Sequence, residues 1–459
     1  MSVRSDPAHG ARRSGSLAGW SLGLVVVSVV FGGASRENPL QVMLVELAAL
    51  PVLYLSLRAL AGEMFWREIP APLGLLALIV ALPLVQIIPL PPALWQGLPG
   101  REAMSAALTA AGLTPGWMPL SMSPEDTHAA LLALMAPAAM FLAVQTLDPD
   151  ESRALMGVCL ILAVIGLGLG AVQLSSGQAS LGYLYRTTNH GSLVGLFANR
   201  NHEASYLLAM LPFAAVFVAR RDRGGRSELF GTAGWFMILL VIAALGAVHS
   251  RAGLLLAAPA LIGCVAVAWR AGGGRGRGRT LLVLGGMIAA GVAIVLTLAL
   301  APNLSRFSED PGQETRLRSW PHVEQAAAAH LPFGAGIGAF DRVYRAAEPL
   351  ELVTPTYLNH AHNDYLELWL EAGWPGAAIL AAVLAWLAWM SARAWRRPAG
   401  GAADLQRAAS VAVGVMVLHS LVDYPLRTLS MAVLFAFCCG MLCWPSAASR
   451  SQGLKRRSA

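Results

Sequence analysis

The residues of this chain that are best suited to chemistry lie close together between His360 and Gly376, where the sequence reads HAHNDYLELWLEAGWPG. The segment contains two imidazoles, His360 and His362, and three carboxylates. An imidazole with an ordinary pKa of about 6.5 can accept the proton of a hydroxyl group at neutral pH. Carboxylates can orient such a base or stabilise its protonated form. The segment therefore indicates general acid–base chemistry.

Three interpretations of the two histidines are open on the residues alone. In the first, His360, His362 and Asp364 are metal ligands, but this spacing is weakly specific and no further Cys or His follows at the separation of a closed site. In the second, the imidazoles belong to a polar loop at a membrane interface. In the third, one of them is a general base. The second and third interpretations are evenly matched.

Two arginines at membrane boundaries favour the catalytic interpretation. Arg251 lies between two apolar runs joined by almost no loop, and Arg200 directly precedes another apolar run. A guanidinium near the apolar phase requires an anionic partner, and its permanent charge and paired donors suit a diphosphate. Snorkelling to the interface, or pairing with Glu203 or Asp423, is the structural alternative for each arginine.

The elements that must position these groups are membrane-spanning helices. Of the 459 residues, 56% are hydrophobic and only 13% are charged, which is typical of a polytopic membrane protein. We expect an all-α fold with about twelve transmembrane helices, each built on about 20 apolar residues. The predicted spans lie near residues 14–35, 39–59, 69–100, 127–147, 154–185, 204–219, 229–250, 252–269, 280–305, 372–392, 405–422 and 428–449.

Charge asymmetry predicts the orientation. With the N-terminus inside, alternate loops hold about two thirds of the 33 Lys and Arg residues, as the retention of basic residues in the cytoplasm requires. Both termini are then cytoplasmic, and the longest loop faces outward. We predict a membrane domain of nine helices over 1–301, a large helical periplasmic loop over 302–371, and three helices with a basic tail over 372–459. The basic runs anchor the topology, so nucleic-acid binding is not expected.

Local signals predict two features at the start and middle of the large loop. A helix begins near Ser319 and runs to about His330, because Pro321 suits a first helical turn. Residues 332–340 are glycine-rich, as are phosphate-binding loops. Since no β-strand precedes them, a tight turn between two loop helices is favoured over a nucleotide site.

The end of the loop predicts a further helix over about 362–372, which Gly373 stops before the next span begins. At 3.6 residues per turn, the carboxylates Asp364, Glu367 and Glu371 share one face of this helix, and His362 lies on another. The histidine and the carboxylates are therefore expected to have different neighbours.

The order of four motifs resembles one family of membrane enzymes. FANRN (197–201) precedes a span, SRAG (250–253) begins one, and the large outer loop holds PFGAG (332–336) and HNDYL (362–366). In this membrane context the four motifs resemble the O-antigen ligase and O-antigen polymerase family, over roughly residues 190–380.

The resemblance implies a metal-independent glycosyltransferase without a cofactor, in the bacterial inner membrane and in contact with its lipids. Such an enzyme moves a glycan at the periplasmic face from undecaprenyl diphosphate to lipid A-core or to a growing glycan chain. By the family motifs, His362 would be the general base on the acceptor hydroxyl, and Arg200 and Arg251 would hold the diphosphate. Asn363 and Asp364 would orient the histidine or contact sugar.

Several roles stay open beside this resemblance. His360 could take or share the role of His362. Arg316 and Arg318 could bind phosphate or acidic sugars, or they could form a solvated face of the loop. The segment His419 to Asp423 could close the site or could simply be the polar end of a helix.

Other function classes are also open. A multi-span solute or anion transporter would place ionisable groups near the membrane midplane, where Glu46 is the clear acid of this chain. A protein O-oligosaccharyltransferase of the same family and a scaffold without catalytic activity are further alternatives. No residue pattern distinguishes a ligase from a polymerase.

Overall fold

The structure is a computed structural model that describes residues 7–34, 38–63, 71–176, 182–219, 226–272, 311–353 and 357–444, with Gly278, Gly285, Gly286 and Ala289. The described part is almost entirely helical. Its elements in chain order are α1 (Pro7–Phe31), α2 (Pro39–Glu63), α3 (Ala71–Gln86), β1 (Pro89–Leu90), α4 (Pro92–Trp95), α5 (Glu102–Ala110), β2 (Met118–Pro119), α6 (Pro124–Ala133), α7 (Met135–Thr146), α8 (Pro149–Ser175), α9 (Arg200–Ala219), α10 (Arg226–Val248), α11 (Arg251–Ala271), α12 (Pro311–Ala328), α13 (Phe340–Ala347), a 3₁₀ turn (Leu350–Leu352), α14 (Asp364–Arg396), α15 (Gly401–His419), a 3₁₀ turn (Pro425–Arg427) and α16 (Leu429–Leu442).

Seven helices of the described chain are long and apolar enough to cross a membrane. They are α2, the α6–α7 pair, α8, α9, α11, α14 and α15. Four shorter apolar helices, within α1, α3, α10 and α16, coincide with four further predicted spans. The all-α polytopic fold is thereby confirmed. The predicted span at 280–305 lies outside the described residues except for isolated positions, so the number twelve stays a prediction, as do the bounds of the three domains.

Two local predictions differ from the structure. The span predicted near 69–100 ends at Gln86, because the closely spaced prolines that follow cannot continue a helix. β1 and β2 pair there in a two-residue antiparallel ribbon. The helix predicted to begin near Ser319 is also wrong at its start. α12 begins at Pro311 and passes through Pro321, because the residues before Pro321 are good helix formers.

α9 is the central helix of the bundle. In the most apolar 18-residue stretch of α9, 89% of the residues are buried inside the protein, compared with 17% in the corresponding stretch of α14. It packs against α10, α11 and α15. The contact with α11 is close, since a Cβ at Gly253 would lie 2.6 Å from the Ala204 methyl carbon. The beginnings of α9 and α11 therefore lie side by side.

α14 bends at Gly373, the residue at which the sequence predicts that one helix stops before the next begins. Gly373 has φ 51° and ψ −142°, a conformation open almost only to glycine, and a Cβ there would collide with the Pro332 carbonyl oxygen. The glycine-rich turn packs into this bend, since the Trp374 amide donates to the Pro332 carbonyl (2.9 Å) and the Ala335 amide donates to the Leu370 carbonyl (2.9 Å). The turn joins α12 to α13, in agreement with the favoured interpretation.

Candidate active site

His362 forms a buried pair with Asp423. Its Nδ1 lies 2.8 Å from Asp423 Oδ1, and the two residues are 5% and 0% exposed. A carboxylate can only accept, so Nδ1 carries the hydrogen and Nε2 carries the lone pair. His362 is therefore held as the tautomer that can take a proton at Nε2.

The surroundings set the charge of this pair. Burial lowers the pKa of His362 below its usual 6.5, and the Asp423 charge opposes this only in part. Burial alone would raise the pKa of Asp423, but His362, His202 and Arg316 together hold it well below its usual range. At neutral pH the pair is thus a neutral imidazole beside a carboxylate.

The backbone around His362 is fixed from both sides. Asn363 caps α14, its side chain accepting from the amides of Tyr365 and Leu366 (both 3.1 Å). On the other side, the Ala361 carbonyl accepts from Trp320 Nε1 (2.9 Å), and the Ala361 amide donates to a carboxylate of α14. His362 itself adopts φ 49°, which is unusual for a residue with a side chain. The imidazole contacts Asp423 and Tyr424, which follow α15.

Asp423 also reaches the two arginine-bearing segments. Asn201 Nδ2 donates to Asp423 Oδ2 (2.6 Å), and Ser250 Oγ donates to Asn201 Oδ1 (2.7 Å). Asn201 follows Arg200 at the start of α9, and Ser250 precedes Arg251 at the start of α11. The predicted base and the two predicted phosphate ligands therefore lie around one hydrogen-bonded cluster.

The other predicted arginines lie on α12. Arg316 is half-buried, and its charge acts on His362, Asp423 and Tyr424. Arg318 is exposed. Arg316 is thus close to the His362 pair.

A tyrosine ring fills the centre of the site. The Tyr424 ring lies 4.3 Å from the His360 ring, 4.8 Å from the His362 ring and 5.0 Å from the His202 ring, centroid to centroid. Burial raises the pKa of its phenol, although its hydroxyl bonds to the side chains of two asparagines. Tyr424 is therefore a neutral wall against which the imidazoles pack.

His360 belongs to a second cluster centred on Arg427. His360 Nδ1 lies 2.8 Å from Glu367 Oε1, and the Arg427 guanidinium contacts Glu371 Oε2 at 2.8 Å, Glu367 Oε1 at 3.2 Å and Asp364 Oδ1 at 3.5 Å. Although burial opposes its charge, the three carboxylates raise the pKa of Arg427. The predicted carboxylate face of α14 is thus confirmed, with Arg427 as its partner.

The metal interpretation does not fit this arrangement. His360 pairs with Glu367 and His362 pairs with Asp423, whereas Asp364 accepts from Ser420 Oγ at 2.7 Å. Across the described part of the chain, no group of three or more His, Cys, Asp or Glu side chains is placed to hold a metal ion. The three side chains of the motif therefore face three different partners.

An apolar cavity of about 430 Å³ opens beside the second cluster. Its polar wall includes His360, Asp364 and Arg427. The remainder is lined mainly by aliphatic side chains of α2, α3, α6 and α14. The cavity has the character of a compartment for a hydrocarbon chain.

Residues 235–381 match the sequence profile of the O-antigen ligase family, about a third of the chain. The chain carries an O-antigen ligase domain. No curated protein matched it. The match contains three of the four motifs that carry the resemblance, SRAG, PFGAG and HNDYL, so the expected family is confirmed over residues 235–381. The protein is accordingly a bacterial membrane protein with a domain of the O-antigen ligase type, which implies glycan transfer.

Some residues of the site lie outside this match or were missed from the sequence. From the sequence, Asp423 is a candidate partner for an arginine and its segment could close the site, whereas the structure pairs Asp423 with His362. Asn201, Tyr424 and Arg427 were not singled out. The signal was available in part, because a buried acid after a span requires a charged or hydrogen-bonded partner. The sequence could not identify which one.

Proposed function

We propose that the protein transfers a glycan from undecaprenyl diphosphate to an acceptor hydroxyl at the periplasmic face of the inner membrane. One observation carries the proposal: the buried His362–Asp423 pair is hydrogen-bonded, through Asn201 and Ser250, to the helix starts that bear Arg200 and Arg251. A base for the acceptor and cations for a diphosphate are thus supplied by one cluster.

In the proposed reaction the acceptor hydroxyl gives its proton to His362 Nε2. The acceptor oxygen forms a bond to the anomeric carbon of the donor glycan, and the bond from that carbon to the diphosphate oxygen breaks. The electron pair leaves with undecaprenyl diphosphate. Asp423 stabilises the imidazolium that forms, as a buried carboxylate does for a histidine base. His362 then releases its proton to solvent.

The leaving group gains its stabilisation from arginines. Arg200 and Arg251 would bind the diphosphate oxygens in pairs, and positive charge placed where negative charge develops lowers the barrier. Arg316 adds charge near the base. We expect transfer by the purified protein to persist in EDTA, whereas a strict requirement for a divalent ion would contradict this assignment.

The lipid part of a substrate has a place in the same arrangement. The 430 Å³ cavity is lined mostly by apolar residues, and its polar lining residues include Glu46, His360, Asp364 and Arg427. An isoprenoid or acyl chain there would be shielded from water, which stabilises binding in proportion to the buried apolar area.

Deletion of the gene, followed by gel electrophoresis of the surface glycans, tests the proposed function. Polymer that is made but left unattached would indicate a ligase, and attachment of a single repeat unit would indicate a polymerase. Unchanged glycans would contradict both. Complementation with His362→Ala should fail at normal protein level, whereas full restoration would remove the general-base role.

A further inference from the structure

Asn201 occupies the junction between the two halves of the proposed site. We infer that it is a positioning residue, which orients Asp423 toward His362 and couples that pair to the segment bearing Arg251. The inference rests on the function proposed above and goes beyond it, because it assigns a role to a side chain that contacts neither the reacting hydroxyl nor the diphosphate in the proposed mechanism.

The hydrogen bonds of the cluster run in one direction. Ser250 Oγ accepts from the Gly253 amide (2.9 Å), so its own hydrogen is available for Asn201 Oδ1. This leaves the Asn201 amide nitrogen as donor to Asp423 Oδ2. The other Asp423 oxygen accepts from His362 Nδ1 and from the Tyr424 amide (3.0 Å). Each group therefore fixes the orientation of the next.

The four residues that these hydrogen bonds connect are held in place by the surrounding structure. Ser250, Asn201, Asp423 and His362 are all buried. The backbone amide of Asn201 donates to the Asn199 side chain (2.8 Å), which fixes the first turn of α9. The close contact of α9 with α11 brings Ser250 within reach. Buried hydrogen-bonded chains of this kind specify one geometry, because any break leaves a buried polar group without a partner.

Backbone strain occurs at both ends of the chain of hydrogen bonds. Among the described residues, His249 and His362 are the two non-glycine positions with positive φ, at 54° and 49°. His249 directly precedes Ser250, and His362 is the base itself. Residues are held in such conformations where the surrounding structure fixes them, and functional sites are where they cluster. The two strained positions thus delimit the unit that Asn201 holds together.

The hydrogen bond from Asn201 to Asp423 affects how readily His362 accepts a proton. Hydrogen bonding from Asn201 takes up part of the Asp423 charge and leaves less of it to favour imidazolium. The other groups near the pair are His202 on α9, His360 and Tyr424 in the loops, His419 on α15 and Arg316 on α12. None of these is altered by a substitution at Asn201. A change in the charge felt by His362 in such a variant would then come from the loss of the Asn201 hydrogen bond.

Glycan transfer by the purified full chain in lipid, measured against pH, tests the inference. Asn201→Leu removes the donor at similar volume. We expect kcat/KM to fall about tenfold, as for loss of a hydrogen bond to a charged group, and its acid limb to move to higher pH. An unchanged rate and profile would overturn the inference. A lower rate with an unchanged acid limb would also overturn it, because that result describes a structural role only.

Gln173 provides a matched control. It is likewise a buried amide, and within the described residues the hydrogen bonds shown for its side chain go to backbone groups, among them Gly182 and Gly195. Gln173→Leu should change stability without moving the acid limb. A shift of the acid limb equal to that of Asn201→Leu would count against a specific role for Asn201.

A second pair of variants keeps the test decisive should Asn201→Leu fail to fold. Ser250→Ala removes the hydroxyl that orients Asn201, and Ser250→Thr restores one. We expect the alanine variant to show the loss and the shift, and the threonine variant to recover both. An equal rate and an equal acid limb in the alanine and threonine variants would overturn the inferred coupling between Ser250 and the His362–Asp423 pair.

The unaltered protein and His362→Ala are measured beside these variants. If the Asn201 and Ser250 variants keep the normal kcat/KM and acid limb while His362→Ala is inactive, this inference is overturned and the proposed function stands. No transfer by the unaltered protein would overturn the proposed function, and the inference with it.

Discussion

At the scale of single residues, the site depends on keeping one imidazole neutral and one carboxylate charged in a buried place. Burial disfavours charge on both, yet their hydrogen bond and the arginine nearby keep Asp423 ionised. His362 consequently has a lone pair at neutral pH and gains a counter-ion once it is protonated. A general base requires both properties.

This balance predicts the pH dependence of transfer. A base works when it is unprotonated, so the rate is at its plateau above the pKa of His362 and falls as the pH drops below it. Because burial lowers that pKa below the usual 6.5, we expect the acid limb of kcat/KM to lie below pH 6.5. A limb above that value would contradict the buried environment of His362.

Asp423→Asn tests the partner of the base. The amide keeps the shape of the side chain, but it lacks the charge that stabilises imidazolium and it can present a donor to Nδ1. We expect transfer to fall about a hundredfold or more at unchanged protein level. The matched control is Asp341→Asn, which removes an exposed carboxylate paired with Arg345 and should leave the rate unchanged.

Sequence reasoning reached part of this residue-scale arrangement. The imidazoles, the arginines and the carboxylate face were recognisable by type and spacing. The partner of His362 was not, because Asp423 follows it by 61 positions and only the fold brings the two together. A membrane protein offers few charges, so the candidates were few, but their pairing is a matter of three-dimensional geometry.

At the scale of elements, the bend of α14 holds the glycine-rich turn against the carboxylates. Glu371 lies just before Gly373, and its Oε1 accepts from the Gly338 amide (2.7 Å) while its Oε2 binds Arg427 (2.8 Å). Gly334 fits in the bend only because it lacks a side chain, since a Cβ would lie 2.5 Å from Glu371 backbone carbon. The bend thus holds the glycine-rich turn against Glu371.

Gly373→Ala is predicted to disrupt this contact. A methyl group would meet the Pro332 carbonyl oxygen and would occupy a disfavoured φ, at a cost on the order of 1–3 kcal/mol. Thermal unfolding of the detergent-purified protein should show a lower midpoint. Gly157→Ala is the control, because its position in α8 has open space and alanine is the better helix former. A midpoint unchanged by Gly373→Ala would contradict the role of the bend.

The helices themselves were the most predictable elements. Eleven predicted spans correspond to described helices because runs of apolar residues without charge have few other structures in a membrane. Ends were less predictable. Pro321 suits either a first turn or a helix interior that neighbouring contacts support, and the sequence gives no sign of those contacts.

At the scale of the whole molecule, the proposed orientation places the site outside and the basic loops inside. Leu350 and the Asp150 side chain are both 86% exposed, at ends of the molecule predicted to face opposite sides. They offer a matched pair of positions for topology measurement. Four of the five native cysteines are buried, which limits background labelling.

We expect Leu350→Cys to react with a membrane-impermeant maleimide in cells whose outer membrane has been opened. Asp150→Cys should react only after the inner membrane is disrupted, because the reagent does not cross it. The native protein, labelled in parallel, gives the background of Cys443. The reverse labelling pattern would contradict the predicted topology and would indicate that the site faces the cytoplasm.

The position of Asp423 between α15 and α16 has a consequence for how the enzyme matures. Its partners in the site are made much earlier by the ribosome, and the histidine has no carboxylate until nearly the whole chain has been translated and α15 inserted. A chain that ended at residue 381, with the O-antigen ligase match complete, would still lack it. If His362 is the base, we expect newly made protein to stay inactive until the last helices join the bundle.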